Sequence, residues 1–357
     1  MSDFLKWLTG NPFVTGSLVV FLGVVVSLYV VAFLQGRAIS FWPPKIGAKP
    51  EKPKGGQPGA SPDQNPQPSG QNPIVGRGTV LATASGDKVT IESNFYGGAN
   101  ATLFRGRNSS GQQVIAKLFW RGLAPNSPPW ELFKQEQRAA EILSHRNIVR
   151  TFDRGLFGAY PFTIMEYFGG GTLRDWLRTH ERIPGEDLLS IADQVANAID
   201  FAHSQGVVHR DIKPGNILFE SNPRGRIALG DFGIAKILGA VRREITAAEF
   251  ELVGSPAYLA PETIDGEEPT TASDVYSFGV VLYEMVAGRT PFDDSQTTLA
   301  VFVAKRERDA TSVRKYRPGV PDQLATRLAK ALSRDPAVRP ESARAVLSGI
   351  EKEISAL

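Results

Sequence analysis

The amino-acid sequence predicts an α+β protein carried behind one transmembrane helix and a disordered linker. Three observations carry this expectation. Residues 80–119 contain three alternating, strand-like runs, whereas apolar residues fall at helical spacing in the segments after residue 169. The 22 residues from Phe13 to Leu34 include no charge. Between these regions, residues 43–76 are dense in Pro and Gly, with Gln, Ser and Asn and almost no large apolar side chains.

The composition excludes several function classes. At 357 residues, 42% hydrophobic and 22% charged, the chain can bury a large core and hold more than one lobe. A net charge of +3 is too small to argue for nucleic acid, despite a pI near 9.0. The absence of cysteine excludes disulfides, thiolate nucleophiles and Cys-ligated metals. The 4 histidines show no paired spacing that would suit a metal site.

Residues 13–34 would span roughly 33 Å as a helix, enough for a hydrocarbon core of about 30 Å. A cleaved signal peptide is the rival reading, but its apolar region is normally about 7–15 residues and ends at small residues. Here Gln35-Gly36-Arg37 leads into Phe41-Trp42, which suit a headgroup-level anchor, so the helix is expected to be retained. Lys6 precedes the span, whereas Arg37, Lys45, Lys49, Lys52 and Lys54 follow it with Glu51 as the only acid. The positive-inside rule then gives a single-pass protein of the inner (plasma) membrane, with the N-terminus outside and the remainder cytoplasmic. Residues 1–12 are too few to fold as a sensory ectodomain. Residues 35–79 read as a juxtamembrane tether, with a docking segment for a proline-recognising partner as the alternative.

Structure is expected to resume at residue 80. Val89–Phe95, Thr102–Arg107 and Gln113–Phe119 read as strands, the first two flanking a small-residue loop. Lys117 stands within the apolar run VIAKLF, where an ammonium needs a carboxylate or phosphate partner. Tyr160–Phe168 reads as a further strand, ending in Gly169-Gly-Gly-Thr. Trp130–Leu143, Glu186–His203 and Ser273–Met285 read as helices.

The stretch with the most chemistry is His209–Leu218, HRDIKPGNIL. Asp211 and Lys213 lie two apart and Asn216 follows five after Asp211, which is loop rather than helical spacing. Phosphoryl transfer needs a carboxylate near the attacking hydroxyl, a cation on the moving phosphate and an oxygen ligand for magnesium. Asp211, Lys213 and Asn216 could supply one each. Asp231-Phe232-Gly233 offers a second hard-oxygen ligand.

With Ala260-Pro-Glu262 closing the segment that starts at Asp231, these runs resemble the eukaryotic-like serine/threonine protein kinases, in their bacterial receptor-type form. The resemblance covers residues 80–357 and implies a two-lobed protein kinase fold, with an N-lobe at about 80–165 and a C-lobe at about 169–357. A five-stranded sheet and one helix would sit over a mostly helical lobe, with ATP and Mg²⁺ between. It implies Asp211 as catalytic base, Lys213 on the γ-phosphate, and Asn216 and Asp231 on magnesium. A Lys two after the Asp is the Ser/Thr form of this loop. Lys117 would hold ATP phosphates and pair with Glu136, nine residues before His145. Met165 would stand as gatekeeper beside the adenine, with backbone groups of Glu166 and Phe168 bonding the base. Aligning Leu103 with the last position of the glycine-rich loop puts Tyr96, Gly98 and Ala101 at its three Gly positions, so only Gly98 is kept. That departure is the one feature suiting a binding module without catalysis. Arg210 would pair with an anion on the activation segment; Thr246, once phosphorylated, is the leading candidate, with Glu249 and Glu251 as rivals. His209, Phe232, Asp274 and the Glu262–Arg339 pair would be structural. The implied reaction is transfer of the γ-phosphate to Ser or Thr hydroxyls of proteins, this chain included. A membrane-protein sensor or a homodimer is the partner expected, although Gly16 and Gly23 are too far apart for a GxxxG pair.

Overall fold

A computed structural model describes residues 75–97, 101–119, 134, 137, 140–180, 182–232, 256–293 and 297–357. All lie in the second of the chain's two units, Gln67–Leu357. The expected transmembrane helix (13–34), most of the expected linker, Gly98, Glu136 and Thr246 fall outside the described residues. Among the described residues no helix is long and apolar enough to cross a membrane.

The N-terminal part is a six-stranded antiparallel sheet. Its strands are β1 (Val80–Ala82), β2 (Lys88–Gly97), β3 (Ala101–Arg107), β4 (Gln113–Phe119), β5 (Thr151–Phe157) and β6 (Tyr160–Glu166), in the order β1-β2-β3-β4-β6-β5. This corrects the expected five strands. The additional edge strand β1 pairs Val80 with Thr90 and Ala82 with Lys88. Gly86, at φ 90°, makes the turn that only a residue free of Cβ strain takes readily.

Side-chain alternation divides this sheet into two chemically different faces. Leu81, Val89, Ile91, Phe104, Val114, Ala116, Leu118, Phe162 and Ile164 form its buried apolar cluster. The intervening positions of β4 and β6, Ile115 and Lys117 against Met165 and Thr163, share the opposite face through the pairs Ile115↔Met165 and Lys117↔Thr163. The period-2 pattern therefore sends Lys117 away from the cluster and aligns it with Met165. Of the segment between β4 and β5, Lys134, Gln137, Ala140, Glu141 and Ile142 are helical. Arg154 of β5 holds this turn by donating to Gln137 at 2.8 Å and Glu141 at 2.9 Å.

The C-terminal part is mostly helical. Its helices are α1 (Leu173–Thr179), α2 (Gly185–Ser204), α3 (Pro261–Ile264), α4 (Thr271–Ala287), α5 (Thr298–Glu307), α6 (Asp322–Ala331), α7 (Ala343–Leu347) and α8 (Glu351–Ser355), and all but α3 and α5 contribute to one apolar cluster. Helix α4 is its axis, since every residue from Ser273 to Val286 is buried. A helix apolar on all sides can only be stable inside such a core. Gly279 admits α6 closely, because a Cβ there would lie 2.9 Å from that of Ala331. A small hairpin of β7 (Ile217–Phe219) and β8 (Ile227–Leu229) lies under the chain that leaves β6.

That junction explains two glycines. Gly170 N donates to Phe219 O at 2.8 Å and Phe219 N donates to Gly171 O at 2.9 Å. A Cβ on Gly170 would stand 2.7 Å from the Phe219 and Ser221 carbonyl oxygens, and Gly171 adopts φ 79°. The GGG run is thus a close backbone approach followed by a left-handed turn.

Candidate active site

The β7–β8 hairpin is the local device that assembles the site. Its register pairs Ile217 with Leu229, and Gly230 N donates to Asn216 O at 2.9 Å. Asn216, at the end of HRDIKPGN, is thereby fixed beside Gly230-Asp231, although Asp231 lies 15 positions after Asn216 in the chain.

Within the loop, Lys213 Nζ donates to Asp211 Oδ2 at 2.6 Å. Asn216 Nδ2 donates to Asp211 O at 2.8 Å and to Asp211 Oδ2 at 3.0 Å. Both amide protons of Asn216 are used on Asp211, so its carbonyl oxygen is left as an acceptor. Lys117 Nζ, buried on the sheet face described above, reaches Asp231 Oδ1 at 3.0 Å across the two parts of the fold. Burial alone would raise the Asp231 carboxyl, but the Lys117 ammonium, with smaller help from Lys213, holds it below its ordinary value. Asp231 is therefore an ionised hard-oxygen donor. These residues fit a magnesium site: one carboxylate and one amide oxygen, with substrate phosphates completing the shell, suit a cation that keeps few protein ligands.

The loop backbone is held from below. Asp274, 1% exposed, accepts from His209 N at 2.7 Å, Arg210 N at 2.8 Å and His203 Nε2 at 2.8 Å. Its place in the first turn of the buried α4 ties the loop to the core. His209 accepts the Asp211 N–H on Nδ1 at 3.2 Å, so its proton sits on Nε2, which donates to Gly230 O at 2.9 Å. Burial pushes the imidazole pKa down, in keeping with a neutral ring. Its ring packs on Phe232 with centroids 4.4 Å apart. His209 and Phe232 thus link the loop to the segment beginning at Asp231.

Arg210 and Asp231 have φ of 72° and 61°, left-handed values that cost a residue with a Cβ on the order of 1 kcal/mol or more. The Asp274 carboxylate and the Lys117 ammonium hold the two in place. Arg210 Nε is buried and has no acceptor among the described residues; the expected anionic partner, Thr246 or a neighbouring Glu, lies outside them. Met165 is half-buried on the Lys117 face, and Glu166 N is already spent on Arg150 O at 2.9 Å. The Glu166 carbonyl is then the group of that residue open to a base. Phe168 is buried at 5% exposure.

Farther away, Arg339 forks onto Glu262 at 2.7 and 2.8 Å, and Ser273 Oγ donates to Glu262 at 2.8 Å. Burial opposes the Glu262 charge, but the Arg339 hydrogen bond and charge outweigh it and lower the pKa. Sequence reasoning missed several supports. His203 shares Asp274, Arg226 reaches Glu166, and the fully buried Lys305 donates to the carbonyls of Ala257 and Leu259, both at 2.6 Å. A second buried network joins Arg174, Tyr258 and Glu284, with Arg174 Nη1 3.1 Å from Glu284 Oε1. None of these pairs is local in sequence, and no short motif announces them.

The sequence matches the protein kinase domain family over residues 96–348. The serine/threonine-protein kinase PrkC of Bacillus subtilis is 34% identical over 245 residues, 69% of this chain and 37% of that protein. Serine/threonine-protein kinase PknL of Mycobacterium tuberculosis is 31% identical over 262 residues, 73% of this chain and 64% of that protein. The chain thus spans about a third to two thirds of the length of these relatives. Among solved structures, a mutant of the Mycobacterium tuberculosis PknI kinase domain shares the fold, with a TM-score of 0.60 over 78% of this chain and 99% of that one, at 22% identity. This chain belongs to the protein kinase domain family, and the two relatives named above are bacterial serine/threonine kinases.

Proposed function

We propose that the chain is a membrane-anchored serine/threonine protein kinase that transfers the γ-phosphate of ATP to protein Ser and Thr hydroxyls, its own included. The observation that carries this reading is the convergence of Asp211, Lys213 and Asn216 on one loop, with the Lys117–Asp231 pair closing over it from the sheet.

In this reading the nucleotide base lies against the chain leaving β6, bonded by the backbone of Glu166 and Phe168. Lys117 orients the phosphates. Asn216 and Asp231 would hold magnesium, which when bound neutralises charge on the transferring phosphates. Asp211 accepts a hydrogen bond from the substrate hydroxyl and takes its proton late, as a loose transition state permits. Lys213, already on Asp211, is placed to meet the charge that builds on the moving phosphoryl oxygens. Glu136 would pair with Lys117, and a phosphate on Thr246 would give Arg210 the anion its guanidinium lacks among the described residues.

The uncharged run 13–34 anchors the chain in the plasma membrane, the tether 35–79 follows, and the catalytic part faces the cytoplasm. A membrane protein or a second copy of the chain would supply the stimulus. Incubating the full chain with labelled ATP and Mg²⁺, beside Asp211→Asn and Lys117→Met, tests the chemistry. Label on Ser or Thr in the wild type alone is expected, whereas label of equal strength in both variants would end this reading. A C-terminal reporter should be inaccessible from outside intact cells; surface exposure would reverse the topology.

A further inference from the structure

Arg226 belongs to none of the motifs above, yet its guanidinium joins three separate segments behind the proposed base site. Nη1 and Nη2 donate to Glu166 Oε1 and Oε2 at 2.5 and 2.9 Å. Nε donates to Arg146 O at 2.7 Å, and the guanidinium carbon lies 5.1 Å from the centre of the Phe168 ring. Glu220, whose backbone N donates to Arg226 O, adds a carboxylate at 3.7 Å.

These contacts fall on the two residues whose backbone would read the base. Glu166 is gripped through its carboxylate and Phe168 through its ring. The chain on either side is fixed independently, by Glu166 N on Arg150 O and by Gly170 and Gly171 on Phe219. A planar fork that is bidentate to a carboxylate and lies over an aromatic ring sets the orientation of both, which a lysine could not do. Arg226 also stands just ahead of β8, so it ties the base site to the same hairpin that places Asn216 beside Asp231.

We propose that Arg226 is a positioning residue for the nucleotide base, setting the backbone of Glu166 and Phe168 for hydrogen bonding to adenine. This rests on the reading of that stretch as the adenine site. Its signature is selective: binding of the base weakens without it, and binding of the phosphates does not. The side chains of Arg226 and Glu166 are 22% and 21% exposed, so water screens the pair in part and a moderate effect is expected.

The test is binding of ATP with Mg²⁺ to the full chain in detergent, with inorganic tripolyphosphate as a second probe that has phosphates but no base. Arg226→Ala should weaken ATP by about five- to tenfold and leave tripolyphosphate unchanged. Arg226→Lys should fall between, and Glu166→Gln should weaken ATP without adding to the loss in the double variant. Equal weakening of both probes, or no weakening of ATP, overturns the proposal. Should Arg226→Ala fail to fold, Arg226→Lys and Glu166→Gln decide by the same criteria. A wild type that binds ATP but transfers no phosphate would defeat the kinase reading, and the same binding data would still judge Arg226. A wild type that binds no ATP would defeat both.

Discussion

Asp211 is aimed by its neighbours: its carboxylate accepts from the Lys213 ammonium at 2.6 Å and the Asn216 amide at 3.0 Å, and its own backbone N–H donates to buried His209. Asp211→Asn keeps the volume and most of these contacts but cannot take a proton. Its turnover should fall by ~10²–10⁴-fold, the usual share of general base catalysis, with ATP affinity changed little. Steady-state rates beside equilibrium ATP titration check this; a parallel loss of affinity would assign Asp211 to binding. These residues were legible because HRDIKPGN and DFG are short and contiguous. Arg226 and Lys305 were not, because the side chain of each donates its hydrogen bonds to acceptors 46 or more positions away. A lone Arg or Lys in sequence says nothing of such distances.

Among elements, the activation segment's far end is fastened by the Glu262–Arg339 fork, where the Arg339 side chain is 0% exposed. Removing one member leaves a buried charge without its partner. Arg339→Ala should cost ~3–5 kcal/mol of stability, measured by denaturant unfolding, and a loss under ~1 kcal/mol would show the site to be hydrated instead. The turn into the C-terminal part should be almost as intolerant. Gly170→Ala drives a methyl toward two carbonyl oxygens at 2.7 Å, with an expected cost of roughly 1–3 kcal/mol. Strands and helices with strong periodicity were read closely: Gln113–Phe119 is β4, and Glu186–His203 lies inside α2. β1 escaped because three residues carry no period, and β5 because TFDRGLF is nowhere fully buried and lacks a clean alternation. The strand expected to reach Phe168 ends at Glu166, where the chain turns to meet the hairpin.

For the molecule as a whole, stability should carry a pH signature from Lys305, enclosed by Tyr276, Phe292, Glu262 and Arg339. Burial pushes its pKa well below the ordinary 10.5, with Glu262 opposing and Arg339 adding. Between the two values the unfolded chain holds a proton that the folded chain does not, so stability attributable to Lys305 rises with pH through that window. Relative to Lys305→Met, the wild type should gain unfolding free energy as the pH is raised toward the ordinary 10.5. Parallel profiles would mean that the amine is charged in the fold throughout. No local pattern announces this burial, since Lys305 sits in the polar run AKRERD and is enclosed only when α5 packs behind residues 257–259.

One hairpin brings Asp211, Lys213, Asn216 and Asp231 together, the arrangement proposed above for phosphoryl transfer. The most direct measurement is the rate of γ-phosphate transfer from ATP to Ser or Thr by the full chain, beside Asp211→Asn with ATP affinity measured on both. Transfer in the wild type, lost in the variant while ATP still binds, is the result predicted here. ATP binding with no transfer in the wild type, or transfer that survives in Asp211→Asn, would contradict it.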